Sequence, residues 1–280
     1  MTGSLAGKVA IVTGAGRMRG IGRAIAIRLA QEGAAVAATA VARSRESFPE
    51  PEREAGWRGI SSVVAEIESA GGKALGLDLD VTKPEDVRAA VEQVRKRFGR
   101  IDILVNNAGL AIVSGKKNLW EMEDEEWFRE IDVNLHGVYH CCRAVIPVLL
   151  DQNEGGSIIS MSSLAGREGQ AQYGGYTPAK FAVVGLTQML AKELAPYKVT
   201  VNAVCPGSTD TDMMDGTFGR TEERMGLPEG AIKQMVHTFI PLGRQAEPSE
   251  MAGIVAYLAS DASGYITGQS INVDGGILMR

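Results

Sequence analysis

The sequence predicts an α/β protein: one Rossmann-type domain with a doubly wound parallel sheet and helices on both faces. Short, continuously apolar runs alternate with longer segments of helical periodicity along all 280 residues, which is typical of a parallel sheet covered on both sides. The order strand, helix, strand, helix, strand then repeats, as in doubly wound sheets. Because no segment has the composition of an interdomain linker, a single domain over 1–280 is expected.

The elements of the first half end at turn-forming residues. The apolar run 8–14 ends at a glycine and predicts the first strand. Apolar residues then recur at helical spacing from Ile21 to Leu29, and Gly33 stops that helix. The same reasoning predicts strands over 34–40, 73–81 and 101–109, and helices over 60–72 and 84–99.

The second half continues the alternation, with two interruptions in the chain as a whole. It predicts helices over 123–150, 176–195 and 248–260, and strands over 156–163, 198–207 and 268–276.

The charged, proline-bearing segment 43–59 is predicted to be an insertion near the adenosine site. The segment 212–244 precedes the last helix and is predicted to be a substrate lid, since long irregular segments in compact domains are often functional.

Composition excludes several classes of function. A net charge of −5 implies no strong basic field, so no nucleic-acid partner is expected. The cysteines Cys141, Cys142 and Cys205 lack metal-ligand spacing and predict buried, reduced thiols. No histidine pair has zinc spacing with an acidic partner, so no metal site is expected. The sequence has no signal-like start and no run of apolar residues long enough to span a membrane. It therefore predicts a cytoplasmic protein that does not bind a membrane.

The stretch VTGAGRMRGIGRAIA, at 12–26, predicts a phosphate-binding loop between the first strand and the first helix. Backbone N–H groups and the helix dipole would hold a pyrophosphate there. Gly20 would let the backbone approach the phosphate, and Gly22 would allow close packing of helix on strand. Gly14 and Gly16 compete for the position of the turn glycine.

The end of the second strand bears on the choice of cofactor. NAD-binding proteins usually place an acidic residue there, but this chain has Ala40. Arg17, Arg19 and Arg43 could bind a 2′-phosphate, because guanidinium matches phosphate bidentately. The sequence therefore favours NADP(H). The alternative is that these arginines are solvated and that NAD is used.

Tyr176 and Lys180 are candidates for proton transfer. They stand four residues apart in a predicted helix and so share one face. A nearby ammonium stabilises a phenolate, and such a tyrosine can exchange a proton with a carbonyl or alcohol oxygen. On spacing alone, a surface pair is the alternative.

Six motifs occur in a fixed order along the chain: TG and GIG after the first strand, NNAG at 106–109, VN in the next helix, SMSSLAG, YTPAK, and CPGSTDT after the sixth strand. In this order they resemble the short-chain dehydrogenase/reductase family over nearly the whole chain, from Gly7 to the terminal GQSINVDGG. In this family, three residues normally separate the first glycine of the loop from GIG. Counted from Gly14 there are five, so we expect a loop that bulges at 17–19.

The resemblance implies a role for each matching residue. Tyr176 would be the general acid in reduction and the base in oxidation, and Lys180 would lower its pKa and bind the nicotinamide ribose. Ser163, rather than Ser162, would bind the substrate oxygen. Asn134 would hold a water that relays protons between Lys180 and solvent. Thr209 departs from the usual valine or isoleucine. With the residues named above, the cofactor site is predicted to comprise Gly14, Arg17, Arg19, Gly20, Ile21, Gly22, Arg43, Asp80, Val81, Asn107, Ala108, Gly109, Tyr176, Lys180, Pro206, Gly207, Thr209 and Thr211.

The expected function is interconversion of a ketone or aldehyde with an alcohol by hydride transfer. The lid is rich in methionine and phenylalanine, which predicts a hydrophobic or cyclic substrate. A 3-oxoacyl thioester reductase is the enzymatic alternative. A catalytically silent dinucleotide sensor or structural subunit is the alternative of another class, although no member of the catalytic set is missing. The resemblance also implies a homotetramer.

Overall fold

The computed structural model describes residues 3–112 and 117–279. Its centre is a seven-stranded sheet in the order β3-β2-β1-β4-β5-β6-β7, in which every pairing between neighbouring strands is parallel. The strands are β1 (Val9–Val12), β2 (Ala35–Ala40), β3 (Lys73–Asp78), β4 (Ile103–Asn106), β5 (Gly156–Met161), β6 (Val199–Pro206) and β7 (Ser270–Val273).

Helices cover both faces of this sheet, which confirms the predicted fold class. Successive residues of β1 point to opposite faces, as pleating requires. The α-helices are α1 (Ile21–Gln31), α2 (Glu50–Glu54), α3 (Ile60–Ser69), α4 (Pro84–Phe98), α5 (Asp124–Ile131), α6 (Gly137–Gln152), α7 (Tyr176–Leu194), α8 (Asp212–Met225), α9 (Ala231–Phe239) and α10 (Pro248–Ala259). Ala10 and Val12 pack in the core under α1, α3 and α10, whereas Val9 and Ile11 pack in the core under α4, α6 and α7.

The order of the strands creates a crevice between β1 and β4. From β1 the chain proceeds outward to β2 and β3, and it then returns to β4 on the other side. The connections after β1 and β4 therefore diverge at the carboxyl edge of the sheet. The fourth strand is shorter than the predicted 101–109, because residues 107–109 leave the sheet and line this crevice.

The predicted helix over 123–150 is interrupted. A π-helical turn, Asp132–His136, separates α5 from α6. By length and composition alone, Asp124–Gln152 could cross a membrane, with a mean hydropathy of 1.2 in its most apolar window. However, 44% of that window is buried, and residues such as Val145 and Leu149 belong to the core beneath the sheet. We therefore interpret it as a core element.

The two segments that break the alternation are both folded. Segment 43–59 contains α2, and its Phe48 and Trp57 are buried in the core beside β1 and β2. Segment 212–244 contains α8 and α9. The sequence pattern predicted an insertion and a lid at these positions but none of the three helices.

A buried carboxylate stabilises the edge of the sheet opposite the crevice. Asp102 accepts a hydrogen bond from the Val9 N–H at 2.9 Å and pairs with Arg100 at 2.6 Å. We expect Asp102→Asn to lower the free energy of unfolding by about 1–3 kcal/mol, because charge-assisted hydrogen bonds are lost. Urea unfolding measures this change, and an unaltered midpoint would contradict it. Activity is expected to persist, since Asp102 lies at the amino end of β4.

Candidate active site and cofactor cleft

An open cleft of about 1650 Å³ runs along the carboxyl edge of the sheet. Its walls include every residue that the sequence analysis assigned to catalysis or cofactor binding, from the glycine-rich loop at one end to Tyr176 at the other. The structure therefore brings together residues that are up to 197 positions apart, from Gly14 to Thr211.

Gly14 occupies the turn that follows β1. Its φ of +68° lies in the left-handed region, and a Cβ there would lie 2.6 Å from the Ala108 Cα. Gly16 is not among the glycines with positive φ. Gly20 is the N-cap of α1, which has neither a side-chain cap nor an acidic residue in its first turn. The first N–H groups of α1 can therefore hold an anionic group such as a pyrophosphate, so the loop fits a dinucleotide.

The predicted bulge at 17–19 is held by the insertion. The Nε of Arg17 and the N–H of Met18 donate to the same oxygen of Glu52, at 3.0 and 2.8 Å. Glu52 is only 1% exposed. The indole N–H of Trp57 donates to the Gly16 carbonyl at 2.9 Å. Segment 43–59 thus supports the glycine-rich loop from outside, a contact that sequence reasoning missed.

Arg19 connects the same bulge to the lid. Its guanidinium donates to Asp215 at 2.7 Å and to Asp210 at 2.6 Å. Its backbone exchanges two hydrogen bonds with Asp212, the first residue of α8. The structure thus gives Arg17 and Arg19 carboxylate partners. No carboxylate in the described residues lies within ion-pairing distance of Arg43, which is exposed on the cleft wall.

The walls around the adenosine end contain small or internally bonded side chains. Ala40 ends β2, as expected from the sequence. Asp80 lines the cleft, and its Oδ1 accepts from the N–H and hydroxyl of Thr82 at 3.0 and 2.7 Å. Val81 is buried, and its carbonyl oxygen lies 3.0 Å from Nδ1 of His140. His140 therefore contacts the backbone of this wall.

The loop after β6 closes the opposite wall. Thr209 is buried, and its hydroxyl bonds to the Gly207 carbonyl at 3.4 Å. Thr211 is the N-cap of α8, since its hydroxyl accepts from the Met214 N–H at 3.2 Å. The lid begins directly beyond this cap, and Met213 and Met214 are its apolar residues that line the cleft. The other methionine, phenylalanine and leucine residues predicted for the substrate wall do not line the cleft: Phe218 is buried, Leu227 is half-buried, and Met225, Met235 and Phe239 are exposed.

Tyr176 and Lys180 lie together at the inner end of the cleft. Tyr176 is the first residue of α7, and Nζ of Lys180 lies 5.4 Å from its ring centroid. Burial lowers the pKa of Lys180 to about 8. Burial also raises the pKa of Tyr176, whereas its hydrogen bond to Ser163 lowers it. The competing Ser162 has a structural partner, because its hydroxyl donates to the Lys180 carbonyl at 2.9 Å.

Asn134 lies within the π-helical turn. Such turns insert one residue into a helix and are frequent at functional sites. Its Nδ2 donates to the carbonyls of Leu110 and Glu130 at 3.1 and 3.0 Å, and its Oδ1 accepts from the Leu110 N–H at 3.2 Å. The side chain is therefore fixed between α5 and the segment after β4, beside the cleft.

Glu130 is a buried residue of this site that sequence reasoning missed. Its Oε2 accepts a hydrogen bond from the Tyr176 N–H at 3.1 Å, and the residue is 0% exposed. Two signals could have found it. One is the Gly174–Gly175 pair directly before the tyrosine, and the other is a charged residue one helical turn before Asn134.

Comparison with known proteins agrees with this geometry. The family model described as enoyl-(acyl carrier protein) reductase matches residues 14–278. The 3-oxoacyl-[acyl-carrier-protein] reductase FabG of Thermotoga maritima is 38% identical over 275 residues, covering 98% of this chain and 99% of that protein. The chain belongs to the short-chain dehydrogenase/reductase family. It is accordingly a nicotinamide-dependent oxidoreductase.

Solved structures of short-chain dehydrogenases/reductases match over the full length. Carveol dehydrogenase from Mycobacterium avium, in complex with NAD, is 34% identical with a TM-score of 0.89, and each chain is covered to 100%. The actinorhodin polyketide ketoreductase with NADPH is 33% identical with a TM-score of 0.86, and each chain is covered to 99%. The two structures hold different nicotinamide cofactors.

Two glycines of the loop are expected to respond differently to substitution. A Cβ at Gly22 would lie 2.6 Å from the Gly14 carbonyl oxygen and would also meet the Asn107 amide, whereas one at Gly20 meets only Arg17, at 3.1 Å. Gly22→Ala should therefore lower the free energy of unfolding by about 2 kcal/mol or more. Gly20→Ala should fold normally but bind NADPH more weakly. Urea unfolding measures the stability of the two variants, and fluorescence titration measures their affinity for NADPH. Equal stability of the two variants would contradict this assignment.

Proposed function

We propose that this protein interconverts a ketone or aldehyde with an alcohol, using NADP(H), on a hydrophobic or cyclic substrate. The observation that carries the proposal is the Tyr176 phenol, which bonds to Ser163 and lies beside Lys180 in the cleft that also contains the phosphate-binding loop. The two methionines of α8 on the wall of this cleft support an apolar substrate.

The site residues divide the proton chemistry among them. A bound nicotinamide supplies or accepts the hydride. The hydroxyls of Ser163 and Tyr176 lie together and can both bond to the substrate oxygen. In reduction Tyr176 gives its proton to that oxygen, and in oxidation it removes one. The Lys180 ammonium stabilises the phenolate that reduction leaves behind, and Asn134 holds the water that returns the proton.

The preference for NADP(H) depends on Arg43. No carboxylate stands at Ala40 to repel a 2′-phosphate, and Arg43 is an exposed guanidinium on the same wall. Arg17 and Arg19 also lie on the wall, but Glu52 and Asp210 are already paired with them. NADPH in the polyketide ketoreductase supports the proposal, and NAD in carveol dehydrogenase supports the alternative.

Reduction of a 3-oxoacyl thioester is the second candidate function, and the Thermotoga maritima relative favours it. A panel of free ketones and 3-oxoacyl thioesters, each with NADPH, separates the two candidates by kcat/KM. Tight binding of cofactor without turnover of any panel member would instead favour a silent dinucleotide sensor. We further propose a cytoplasmic homotetramer, which sedimentation analysis would test.

Tyr176→Phe tests the assignment of the proton donor. We expect kcat to fall by about 10²–10⁴-fold, because general acid–base catalysis is lost while the ring still packs. Tyr173→Phe is the matched control, since its ring lies 6.3 Å from that of Tyr176 and retains no proposed role. Because burial raises the pKa of Tyr176, alcohol oxidation by the wild type should become faster as pH rises. Near-normal turnover by Tyr176→Phe would refute the assignment.

Arg43→Ala tests the cofactor preference. We expect kcat/KM for NADPH to fall about 10- to 100-fold, because a charge-assisted hydrogen bond to phosphate is lost. The kcat/KM for NADH should change by no more than about threefold, since that cofactor lacks the 2′-phosphate. Arg58→Ala, at another guanidinium on the wall of the cleft, is the control for a general loss of positive charge. A wild-type preference for NADH would overturn the proposal.

A further inference from the structure

The helix that carries the catalytic tyrosine lacks a cap of its own. Helix α7 is 19 residues long, and its N-cap is Gly175, which has no side chain to accept a hydrogen bond. The first N–H groups of any helix need an external acceptor. The Tyr176 N–H is shared between two acceptors: the Tyr173 carbonyl at 3.0 Å, in the preceding segment, and Oε2 of Glu130 at 3.1 Å, on a different helix.

The contact is closely fitted. Gly174 has a φ of +47°, and a Cβ there would lie 2.8 Å from Oε2 of Glu130. A Cβ at Gly175 would lie 3.3 Å from the Glu130 Cβ. The two glycines before Tyr176 thus make room for a fully buried glutamate, which contributes a negative charge at the positive end of α7.

The same residue also contacts the other side of the site. The backbone carbonyl of Glu130 accepts from Nδ2 of Asn134 at 3.0 Å, so one residue bonds to two members of the catalytic set. We propose that Glu130 is a positioning residue, which fixes the first turn of α7 and thereby aims the Tyr176 phenol at the substrate oxygen. This inference rests on the proposed function.

The charge of Glu130 has a further consequence for proton transfer. Within residues 3–112 and 117–279, four groups face Tyr176: Ser163 from the segment after β5, Tyr173 from the segment before α7, Lys180 from its own helix, and Glu130 from α5. Burial raises the pKa of Tyr176, and the negative charge of Glu130 raises it further. Tyr173 adds to this only when its own phenol is ionised, and burial raises the pKa of that phenol too. A carboxylate here keeps the phenol protonated, the form that carbonyl reduction requires.

Two substitutions separate the hydrogen bond from the charge. Glu130→Gln keeps the shape and a carbonyl acceptor, but it removes the charge. We expect near-normal kcat and a downward shift of about 0.5 to 1 unit in the pH profile of alcohol oxidation, because the phenolate is no longer disfavoured. Glu130→Leu removes the side-chain acceptor as well and leaves the Tyr176 N–H with the Tyr173 carbonyl alone. We expect kcat to fall about 10- to 100-fold with KM within about threefold, because Tyr176 is no longer held from α5.

The control is Asp102→Asn, which neutralises another buried carboxylate that accepts from a backbone N–H. It should reduce stability without moving the pH profile. A readout independent of turnover is the titration of tyrosine labelled at ¹³Cζ, with the Tyr176 signal assigned by its loss in Tyr176→Phe.

The two readouts keep the inferences apart. If no carbonyl compound is turned over, the proposed function fails, but a lowered pKa of Tyr176 in Glu130→Gln still supports the role of Glu130. An unchanged pKa of Tyr176 in Glu130→Gln overturns that role. Normal kcat in folded Glu130→Leu does so as well, and if that variant fails to fold, the titration of Glu130→Gln decides.

Discussion

The junction between β1 and β4 is the contact on which the rest of the site depends. The Thr13 hydroxyl accepts from the N–H groups of Asn107 and Ala108, both at 3.0 Å, and the Asn107 amide donates back to the carbonyls of Thr13 and Gly14 at 2.9 and 3.0 Å. The chain leaves these two strands in opposite directions, so without such bonds the two loops would separate. Gly22 lies directly against the Asn107 amide, which fixes the start of α1 on the same junction. The phosphate-binding and catalytic halves of the cleft therefore share one anchor.

Much of the fold and of the site could be predicted because both follow from local patterns. Continuous apolar runs identify parallel strands, and the carboxyl ends of such strands meet at one edge, so motifs after β1, β4, β5 and β6 converge without further assumption. The partners of Arg17 and Arg19 could not be predicted in this way. Glu52 is 35 positions from Arg17, and Asp210 is 191 positions from Arg19. A solvated guanidinium and a paired one have the same sequence signature.

The π-helical turn marks a second limit of periodicity. A segment with apolar residues at helical spacing reads as one helix over 123–150, and one extra residue in a turn is too small a change in that spacing to be seen. The insertion does change the geometry, since Asn134 lies in the turn and Glu130 lies one turn earlier. Periodicity also misplaces Glu130, because acidic residues in a helix usually lie on a solvated face. The glycine pair before Tyr176 is a signal for it, but the packing of α5 against α7 shows that Glu130 is buried and bonded to Tyr176.

The two segments that depart from the regular alternation belong to one structural unit. The sequence predicts a glycine-rich loop two residues longer than the family pattern. Residues 17–19 of that loop pair with Glu52 from the insertion and with Asp210, Asp212 and Asp215 from the lid region. Without the bulge, the buried Glu52 would lack its cationic partner, and buried charges without partners are costly. The glycine-rich loop, the insertion and the start of the lid are therefore held together by these ion pairs.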